Sequence, residues 1–230
     1  MDVVLLYGGK GTRLKEVVFD RPKPMAEIND RPFMNMLLDH AIQFGFKRCI
    51  LCVGHKKNYI KEQYQNGYKS LEIVFAEENQ LLGTGGAVKN SEPLIKSDPF
   101  LVMNGDSFCA VPLDVFFQFH QMKLAEFSLA LIKNKTPTTD CGVVTLDQSE
   151  RVTGFDEKVM NVDCFLNAGV YLFGEKIFTL IPEKTIYSLE YDVFTKFINQ
   201  RVYGYEVDLD LIDIGTPERY HKARKVFKTN

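Results

Sequence analysis

The sequence predicts an α/β protein with a doubly wound, mixed but mainly parallel sheet, and three observations lead to that prediction. Short apolar runs alternate with amphipathic stretches of helical length through the first half of the chain. The first run leads directly into a glycine-rich segment. With 230 residues, 45% of them hydrophobic, the chain is long enough to bury a substantial core. No linker or low-complexity tract divides it, so we expect residues 1–230 to form a single domain.

Four apolar runs of the first half are predicted to be the central parallel strands. They are short and rich in branched or aromatic residues, as expected for strands that are buried on both faces. The runs cover residues 3–6, 49–53, 71–75 and 100–103.

The stretches between these runs are predicted to be helices. Phe33, Leu37 and Ala41 recur at helical spacing. Pro32 suits a first helical position, and Gly45 suits a C-terminal cap. Further helices are expected over residues 60–64, from near residue 86, and over residues 113–122. Strands and helices that alternate in this way predict βαβ units.

The second half of the chain is richer in strands. We expect strands over residues 127–132, 142–146, 152–155 and 165–173, and then helices over residues 191–198 and 216–227. This pattern predicts an extension of the sheet that shapes a second ligand subsite.

The segment after the first strand predicts a phosphate-binding loop. Gly8, Gly9 and Gly11 carry no side chain that would hold a ligand away from the backbone, so N–H groups can converge on phosphate oxygens. Arg13 and Lys23 supply positive charge nearby. The glycine spacing fits neither the dinucleotide fingerprint nor the mononucleotide loop that ends in Gly-Lys and Ser or Thr. We therefore expect an anionic ligand here, with a tight glycine turn as the structural alternative.

Composition excludes several classes of partner and site. A net charge of −2 argues against a broad nucleic-acid surface. No run approaches the roughly 18 apolar residues of a membrane span, and the N-terminus lacks a signal-peptide pattern, so we expect a soluble cytoplasmic protein. The five cysteines are scattered and do not form a disulfide framework. Cys49 and Cys52 have zinc-like spacing, but their position in a predicted strand favours core packing.

One carboxylate is a candidate metal ligand from its position alone. Asp106 follows the predicted strand at residues 100–103, so it lies at the sheet edge where ligands bind in open α/β folds. Mg²⁺ prefers one or two carboxylates together with substrate phosphates. A turn-forming role for Asp106 is the alternative.

The stretch Gly-Gly-x-Gly-Thr-Arg-Leu at residues 8–14, with Pro-Lys-Pro at residues 22–24, resembles the signature of sugar-1-phosphate nucleotidyltransferases. Further motifs of that family follow in order, so the resemblance extends from residue 5 to about residue 220. It implies a Rossmann-like nucleotidyltransferase fold whose strand-rich extension binds the sugar. Many relatives append a left-handed β-helix, but no six-residue repeat follows the last predicted helix here.

The resemblance assigns nucleotide binding to two glycine-rich loops and to the metal site. The residues are Gly8, Gly9, Gly11, Thr12, Gly83, Thr84 and Asp106. Glu78 precedes the second loop, and its carboxylate can accept two hydrogen bonds from the N1–H and the exocyclic amine of guanine. The sequence therefore predicts GTP as the nucleotide. Glu77 is the competing position for this role, and a solvated acidic pair is the structural alternative.

The resemblance assigns sugar binding to short motifs of the second half and to the loop of Asp106. They include a Glu-Lys pair, an Asn-Ala-Gly tripeptide and the segment Ser-Leu-Glu-Tyr-Asp at residues 188–192. Each motif is weak alone, but the family's order adds weight. The residues are Gly105, Glu157, Lys158, Asn167, Gly169 and Glu190.

The resemblance also implies direct phosphoryl-type transfer without a covalent enzyme intermediate. Arg13 would stabilise the α-phosphate and the leaving pyrophosphate, while Lys23 and Lys158 would hold the attacking sugar phosphate. Asp213, in Asp-Ile-Gly-Thr-Pro, matches the segment that supplies the family's second metal ligand. With Asp106 it would hold Mg²⁺. A structural role for Asp213 stays open, because the Thr-Pro that follows is a good helix entry.

Within the family the chain looks closest to the short guanylyltransferases that act on D-glycero-α-D-manno-heptose 1-phosphate, with mannose-1-phosphate guanylyltransferases next. GTP and a sugar 1-phosphate are the expected partners, the chain could form a homodimer, and activated heptose would suit bacterial surface polysaccharide synthesis. Tyr7 stands where the family usually has Ala, which predicts altered packing beside the nucleotide loop. The alternatives are a uridylyl- or cytidylyltransferase and a catalytically silent regulator that binds a nucleotide sugar. The signature residues Arg13, Lys23, Asp106 and Asp213 are all present and disfavour the regulator.

Overall fold

The computed structural model of the chain describes residues 1–7, 9, 12–14, 17–133, 142–157, 164–196 and 200–227. The helices are α1 (Phe33–Gln43), α2 (Lys57–Tyr64), α3 (Gly83–Ser91), α4 (Leu113–Met122) and α5 (Pro217–Val226). The strands are β1 (Val3–Leu6), β2 (Glu27–Ile28), β3 (Arg31–Pro32), β4 (Arg48–Val53), β5 (Glu72–Glu77), β6 (Phe100–Asn104), β7 (Ser107–Phe108), β8 (Phe127–Lys133), β9 (Gly142–Leu146), β10 (Val152–Glu157), β11 (Phe165–Phe173), β12 (Val202–Val207) and β13 (Ile212–Asp213).

The main sheet confirms the predicted α/β class. Its strand order is β10-β9-β11-β6-β1-β4-β5, and β8 joins it beside β11 and carries β12 at its other edge. The strands β6, β1, β4 and β5 run parallel to one another, as the βαβ pattern predicts. The strand β11 runs antiparallel to its neighbours and attaches the strand-rich second half.

A hydrophobic core covers each face of the sheet. Val3 and Leu5 of β1 belong to the core that includes Phe33 of α1, while Val4 belongs to the opposite core with Ala87 of α3. This alternation follows from the two-residue period of a strand. Both faces of the sheet are therefore covered, and the loops that can bind a ligand leave from the carboxyl ends of its strands.

The two cysteines with zinc-like spacing are core residues. Cys49 belongs to one core and Cys52 to the other, so their side chains lie on opposite faces of the sheet and cannot share a metal ion. Among the helices that the structure describes, none combines the length and the apolar character needed to cross a membrane.

The segment predicted to be a helix over residues 191–198 is helical in its described part, but it is not a regular α-helix. The chain forms a π-helical turn at Leu189–Val193 and a 3₁₀ turn at Phe194–Lys196 instead. Buried Val193 and Phe194 anchor this segment to the core that contains α3. Packing against that core therefore overrides the regular α-helical pattern of the sequence.

Some boundaries also differ from the sequence prediction, and one strand was not predicted. The helix α2 begins at Lys57, three residues before the expected start. The helix α3 begins at Gly83, three residues before the expected start. The strand β12 was not expected, because Gly204 weakens its strand pattern. It pairs with β8 in parallel. Two-residue strands such as β7 and β13 carry no periodicity that a sequence could reveal.

Burial of His120 predicts a pH-dependent stability. Its Nδ1 lies 2.8 Å from the Ser128 hydroxyl, between α4 and β8. Burial lowers the pKa of His120 from 6.5 to about 4, so the unfolded chain takes up a proton that the folded chain resists. The free energy of unfolding should be highest above pH 6.5 and fall toward pH 4, by about 1.4 kcal/mol for each pH unit.

Urea unfolding of the wild type and of His120→Asn at pH 7.5 and pH 5 checks this prediction. The amide can retain the contact with Ser128 but does not titrate, so the variant should lose less stability between the two pH values. Equal losses in both proteins would contradict the prediction.

Candidate active site

A cleft of about 590 Å³ opens at the carboxyl ends of β1, β5 and β6. The strands β4 and β5 lie on one side of β1, and the next strand of the sheet, β6, lies on its other side. The cleft lies at this change in strand order. Ligands bind at such switch points in open α/β sheets. Nine of the sequence-predicted site residues line the cleft: Gly9, Arg13, Lys23, Glu78, Gly83, Thr84, Gly105, Asp106 and Glu190.

The other predicted residues have different positions. Gly8, Gly11 and Lys158 lie outside the described residues. For Thr12 and Glu157 the structure describes only the backbone, in a 3₁₀ turn and in β10. The remaining three are Asp213, Asn167 and Gly169.

Two cationic side chains reach the cleft from the loop after β1. Arg13 lies in a 3₁₀ turn whose next residue, Leu14, is buried in the core. Lys23 begins a second 3₁₀ turn that buries Pro24 and Met25. Because these apolar residues fix the two turns, the positive charges have defined positions at the cleft.

Lys23 and Asp106 form an ion pair across the cleft. The Lys23 Nζ donates to Asp106 Oδ2 at 2.7 Å, and the Asp106 side chain is 45% exposed. Asp106 directly precedes β7, so the carboxylate leaves the sheet beside the loop after β1. The pair joins the two motifs that the sequence places 83 positions apart.

The second predicted carboxylate, Asp213, lies on the strand next to Asp106. In the β7–β13 ladder Asp213 is opposite Ser107, and the Ile214 N–H donates to the Asp106 carbonyl at 3.0 Å. The Asp213 carboxylate also lies 3.5 Å from the guanidinium of Arg219. Two carboxylates on paired strands match the few protein ligands that Mg²⁺ takes when phosphates supply the rest. Among the described residues no group of three or more acidic, His or Cys side chains could hold a metal by itself.

Glu78 is a buried carboxylate with one unused oxygen. Its side chain is 4% exposed, and Oε2 accepts a hydrogen bond from the Leu82 N–H at 3.2 Å. Oε1 has no hydrogen-bond partner among the described residues. Burial raises the pKa of Glu78, which shows the cost of keeping this charge in the cleft wall.

The neighbouring Glu77 has a different environment. It is exposed and forms ion pairs with Lys57 and Lys61 of α2. Since these lysines already neutralise Glu77 outside the cleft, Glu78 is the residue of this acidic pair that can meet a ligand there.

The glycines of α3 allow another segment of protein to approach closely. A side chain on Gly83, which has a φ of +72°, would lie 2.6 Å from the Tyr187 carbonyl oxygen. A side chain on Gly86 would lie 2.7 Å from the Thr185 carbonyl oxygen. The Tyr187 N–H also donates to the Leu82 carbonyl at 2.8 Å. The sequence predicts close approach of a ligand here, but it does not reveal that residues 185–189 pack on the same glycines.

The Asn-Ala-Gly tripeptide lies within β11, at an irregularity in the pairing of β11 with β8. The Asn167 amide donates to the Tyr171 hydroxyl at 2.8 Å and accepts from the Gly169 N–H at 3.0 Å. Gly169 has a φ of +72°, and a side chain there would lie 3.0 Å from atoms of Asn104 and Ser107. Gly169 therefore lies directly against Asn104, and Asn167 bonds to the Gly169 N–H. Asn104 lines the cleft, although no sequence motif pointed to it.

Tyr7, which stands where the family usually has Ala, packs against Gly105, and its effect on the packing of the base or ribose stays a prediction. Tyr7 is 4% exposed, and a side chain added to Gly105 would lie 2.2 Å from its ring. Gly105 is thus required for the packing of Tyr7, in addition to its predicted contact with the sugar. Burial raises the pKa of the Tyr7 hydroxyl well above its usual value, so it stays neutral.

The chain is similar to known proteins along nearly its whole length. A family model described as nucleotidyl transferase matches residues 2–230. The D-glycero-alpha-D-manno-heptose 1-phosphate guanylyltransferase of Campylobacter jejuni is 33% identical over 222 residues, which cover 96% of this chain and 97% of the relative. The mannose-1-phosphate guanylyltransferase of Mycobacterium tuberculosis is 32% identical over 96% of this chain but only 62% of its own length. A crystal structure of HddC from Yersinia pseudotuberculosis complexed with GMP-PN is similar with a TM-score of 0.86 and 32% identity, and covers 98% of this chain and 99% of that chain.

Packing at Gly105 predicts that Gly105→Ala destabilises the protein. The added methyl group would meet the Tyr7 ring and the Leu6 carbonyl oxygen, and overpacking of this kind costs about 1–3 kcal/mol. The melting temperature should fall by roughly 3–10 °C for a chain of this size.

The matched control is Gly9→Ala, because an added side chain at Gly9 has no described neighbour within 4 Å. Thermal unfolding of both variants checks the prediction. An equal shift in the two variants would contradict it.

Proposed function

The chain belongs to the nucleotidyl transferase family, and we propose that it transfers GMP from GTP to a sugar 1-phosphate, giving a GDP-sugar and pyrophosphate. The observation that carries this proposal is the buried Glu78 carboxylate in a cleft that also contains Arg13, Lys23 and Asp106. The carboxylate suits a guanine base, and the other groups suit the phosphates. Both requirements of a guanylyl transfer thus meet in one cleft.

Guanine fits Glu78 because it offers two adjacent donors, N1–H and the exocyclic amine. The unpartnered Oε1 of Glu78 can accept one of them, and Oε2 can accept the other beside the Leu82 N–H. Uracil and thymine would place a carbonyl oxygen against the carboxylate, and the two acceptors would repel each other. A buried charge magnifies this difference, because an unpaired charge in the cleft wall is costly.

For the sugar we propose D-glycero-α-D-manno-heptose 1-phosphate. The Campylobacter jejuni relative that bears this sugar in its name is 33% identical to this chain and matches along 97% of its own length. Mannose 1-phosphate is the second candidate, since its guanylyltransferases share the family.

The transfer we propose is direct and in line. An oxygen of the sugar phosphate attacks the α-phosphorus of GTP while pyrophosphate departs on the opposite side. Arg13 stabilises the negative charge of the α-phosphate and pyrophosphate, and Lys23 holds the attacking phosphate. Such a reaction depends on positioning and charge more than on an acid or base, so it requires no Ser or Cys nucleophile.

Asp106 and Asp213 are the residues that we propose to hold Mg²⁺. Lys23 compensates the charge of Asp106 in this structure, and this supports Asp106 as a ligand for a cation. Mg²⁺ held by Asp106 and Asp213 would neutralise negative charge on the reacting phosphates. Lys23 could then turn from Asp106 toward the sugar phosphate.

We place the reaction in the cytoplasm, where GTP is made, with no nucleic-acid or membrane partner. The GDP-heptose produced would suit the synthesis of a bacterial capsule or lipopolysaccharide. A homodimer stays a prediction, which light scattering can check.

Pyrophosphate release tests the proposed function. The chain is incubated with Mg²⁺, each of the four common nucleoside triphosphates, and either heptose 1-phosphate or mannose 1-phosphate. We expect the fastest release with GTP and heptose 1-phosphate. Faster release with mannose 1-phosphate would change the sugar, and faster release with UTP or CTP would overturn the guanylyl assignment. Binding of a nucleotide sugar without any release would indicate the silent regulator.

Glu78→Gln should reduce the preference for GTP over UTP and dTTP. The amide can no longer accept both guanine donors, but it can pair with an imide edge. We expect the ratio of kcat/KM values to fall about ten-fold or more, which corresponds to loss of one hydrogen bond to a charged group.

Glu77→Gln is the matched control, since that carboxylate is exposed and paired with lysines. Its nucleotide ratio should equal that of the wild type. If Glu78→Gln leaves the ratio unchanged, Glu78 does not read the base.

Asp106→Asn should preserve the fold and lower turnover about a hundred-fold or more, because it weakens a proposed metal ligand. The Mg²⁺ concentration for half-maximal activity should rise as well. Asp114→Asn is the control, since that acid lies exposed in the first turn of α4. Turnover and Mg²⁺ dependence close to the wild type in Asp106→Asn would refute the metal assignment.

A further inference from the structure

Two hydroxyl groups hold the carboxylate of Glu190 at the cleft. The Thr84 hydroxyl donates to Glu190 Oε2 at 2.7 Å, and the Ser188 hydroxyl donates to the same oxygen at 2.8 Å. Thr84 Oγ1 also accepts from the Leu189 N–H at 2.8 Å. Ser188 Oγ accepts from the N–H groups of Glu190 and Tyr191 at 3.1 and 3.2 Å.

These contacts determine the direction of every proton in the cluster. A hydroxyl has a single proton, and the backbone N–H groups occupy the acceptor side of Thr84 and Ser188. Both hydroxyl protons therefore point to Oε2 of Glu190. No hydrogen bond to Oε1 forms within the described part of the chain, so that oxygen is left to accept from a ligand in the cleft.

These hydrogen bonds connect α3 with the segment of Ser188 and Glu190, and both elements line the cleft. Thr84 lies in the first turn of α3, while Ser188 and Glu190 belong to the segment that packs on the α3 glycines. The Gly86 N–H donates to the Tyr187 carbonyl at 3.0 Å, so the backbones are bonded as well. A shift of the α3 N-terminus must therefore move Glu190.

We infer that Thr84 is a positioning residue for the sugar 1-phosphate: it orients Glu190 so that Oε1 accepts a hydrogen bond from a sugar hydroxyl. The inference rests on the proposed function. The sequence resemblance places Thr84 among the nucleotide-binding residues, but its hydroxyl donates its only proton to Glu190 and accepts from the Leu189 N–H, so it has no proton to donate to a nucleotide. A nucleotide bound at the α3 N-terminus would thereby also order the segment of Ser188 and Glu190. Each of the two substrates should then increase the affinity for the other.

Thr84→Val removes the hydroxyl and keeps the branched shape. It should raise KM for the sugar 1-phosphate about ten-fold, the effect of losing one hydrogen bond to a charged group. KM for the nucleotide, extrapolated to low concentrations of the sugar 1-phosphate so that the coupling does not contribute, should change less than about two-fold, because the hydroxyl donates its proton to Glu190 and not to the nucleotide. Thr84→Ser restores the hydroxyl and should return the sugar KM to within about two-fold of the wild type.

Two further measurements separate positioning from a general loss of structure. Ser188→Ala removes the second hydroxyl on Oε2 and should also raise the sugar KM selectively, which keeps the test valid if Thr84→Val folds poorly. In calorimetry, a non-hydrolysable GTP analogue should tighten binding of the sugar 1-phosphate to the wild type and do so less in Thr84→Val.

The assays use whichever nucleotide and sugar 1-phosphate the wild type turns over fastest, so a wrong substrate identity contradicts the proposed function alone. A rise in nucleotide KM with an unchanged sugar KM would make Thr84 a direct nucleotide contact and overturn the inference. Equal defects in Thr84→Val and Thr84→Ser would overturn it too. A wild-type chain that turns over no pair would contradict both the proposed function and the inference.

Discussion

The common end point of β1 and β6 is the constraint on which the cleft depends. Leu6 pairs with Asn104 at the last position of both strands, and the Gly105 N–H continues the ladder to the Leu6 carbonyl at 3.1 Å. The glycine-rich loop and the Asp106 loop therefore leave the sheet side by side. This proximity allows Lys23 to reach Asp106, and it requires Gly105 to have no side chain beside Tyr7.

The cleft contains charges that the protein only partly compensates. Asp106 is paired with Lys23 but stays half exposed, and Glu78 is buried with one oxygen unpartnered. Buried unpaired groups are costly in a folded protein, and they persist where a ligand completes them. Under the proposed function, Glu78 would meet the base and the group around Asp106 would meet the phosphates of one nucleotide, so the cost would be that of a preorganised binding site.

Local patterns of the sequence predicted the parallel half of the sheet and the five α-helices of the described residues, with differences at their ends. Periodicity could not predict the two-residue ladder that brings Asp213 beside Asp106, because two residues carry no period. It also could not reveal that Ser188 helps to hold Glu190, or that residues 185–189 pack on the glycines of α3. The second of these contacts joins segments about 100 positions apart, and the glycines alone are equally compatible with a ligand. The segment expected to be a helix near residue 191 is helical, but local patterns could not predict its π and 3₁₀ geometry.

The most direct test of the account follows the α-phosphate of GTP. The chain is mixed with GTP labelled with ³²P at the α-phosphate, heptose 1-phosphate and Mg²⁺, and the products are separated after a single turnover and after many. The account predicts that the label passes into GDP-heptose in step with pyrophosphate release and that none stays on the protein. Label retained on the protein, or released as GMP without a nucleotide sugar, would contradict direct guanylyl transfer.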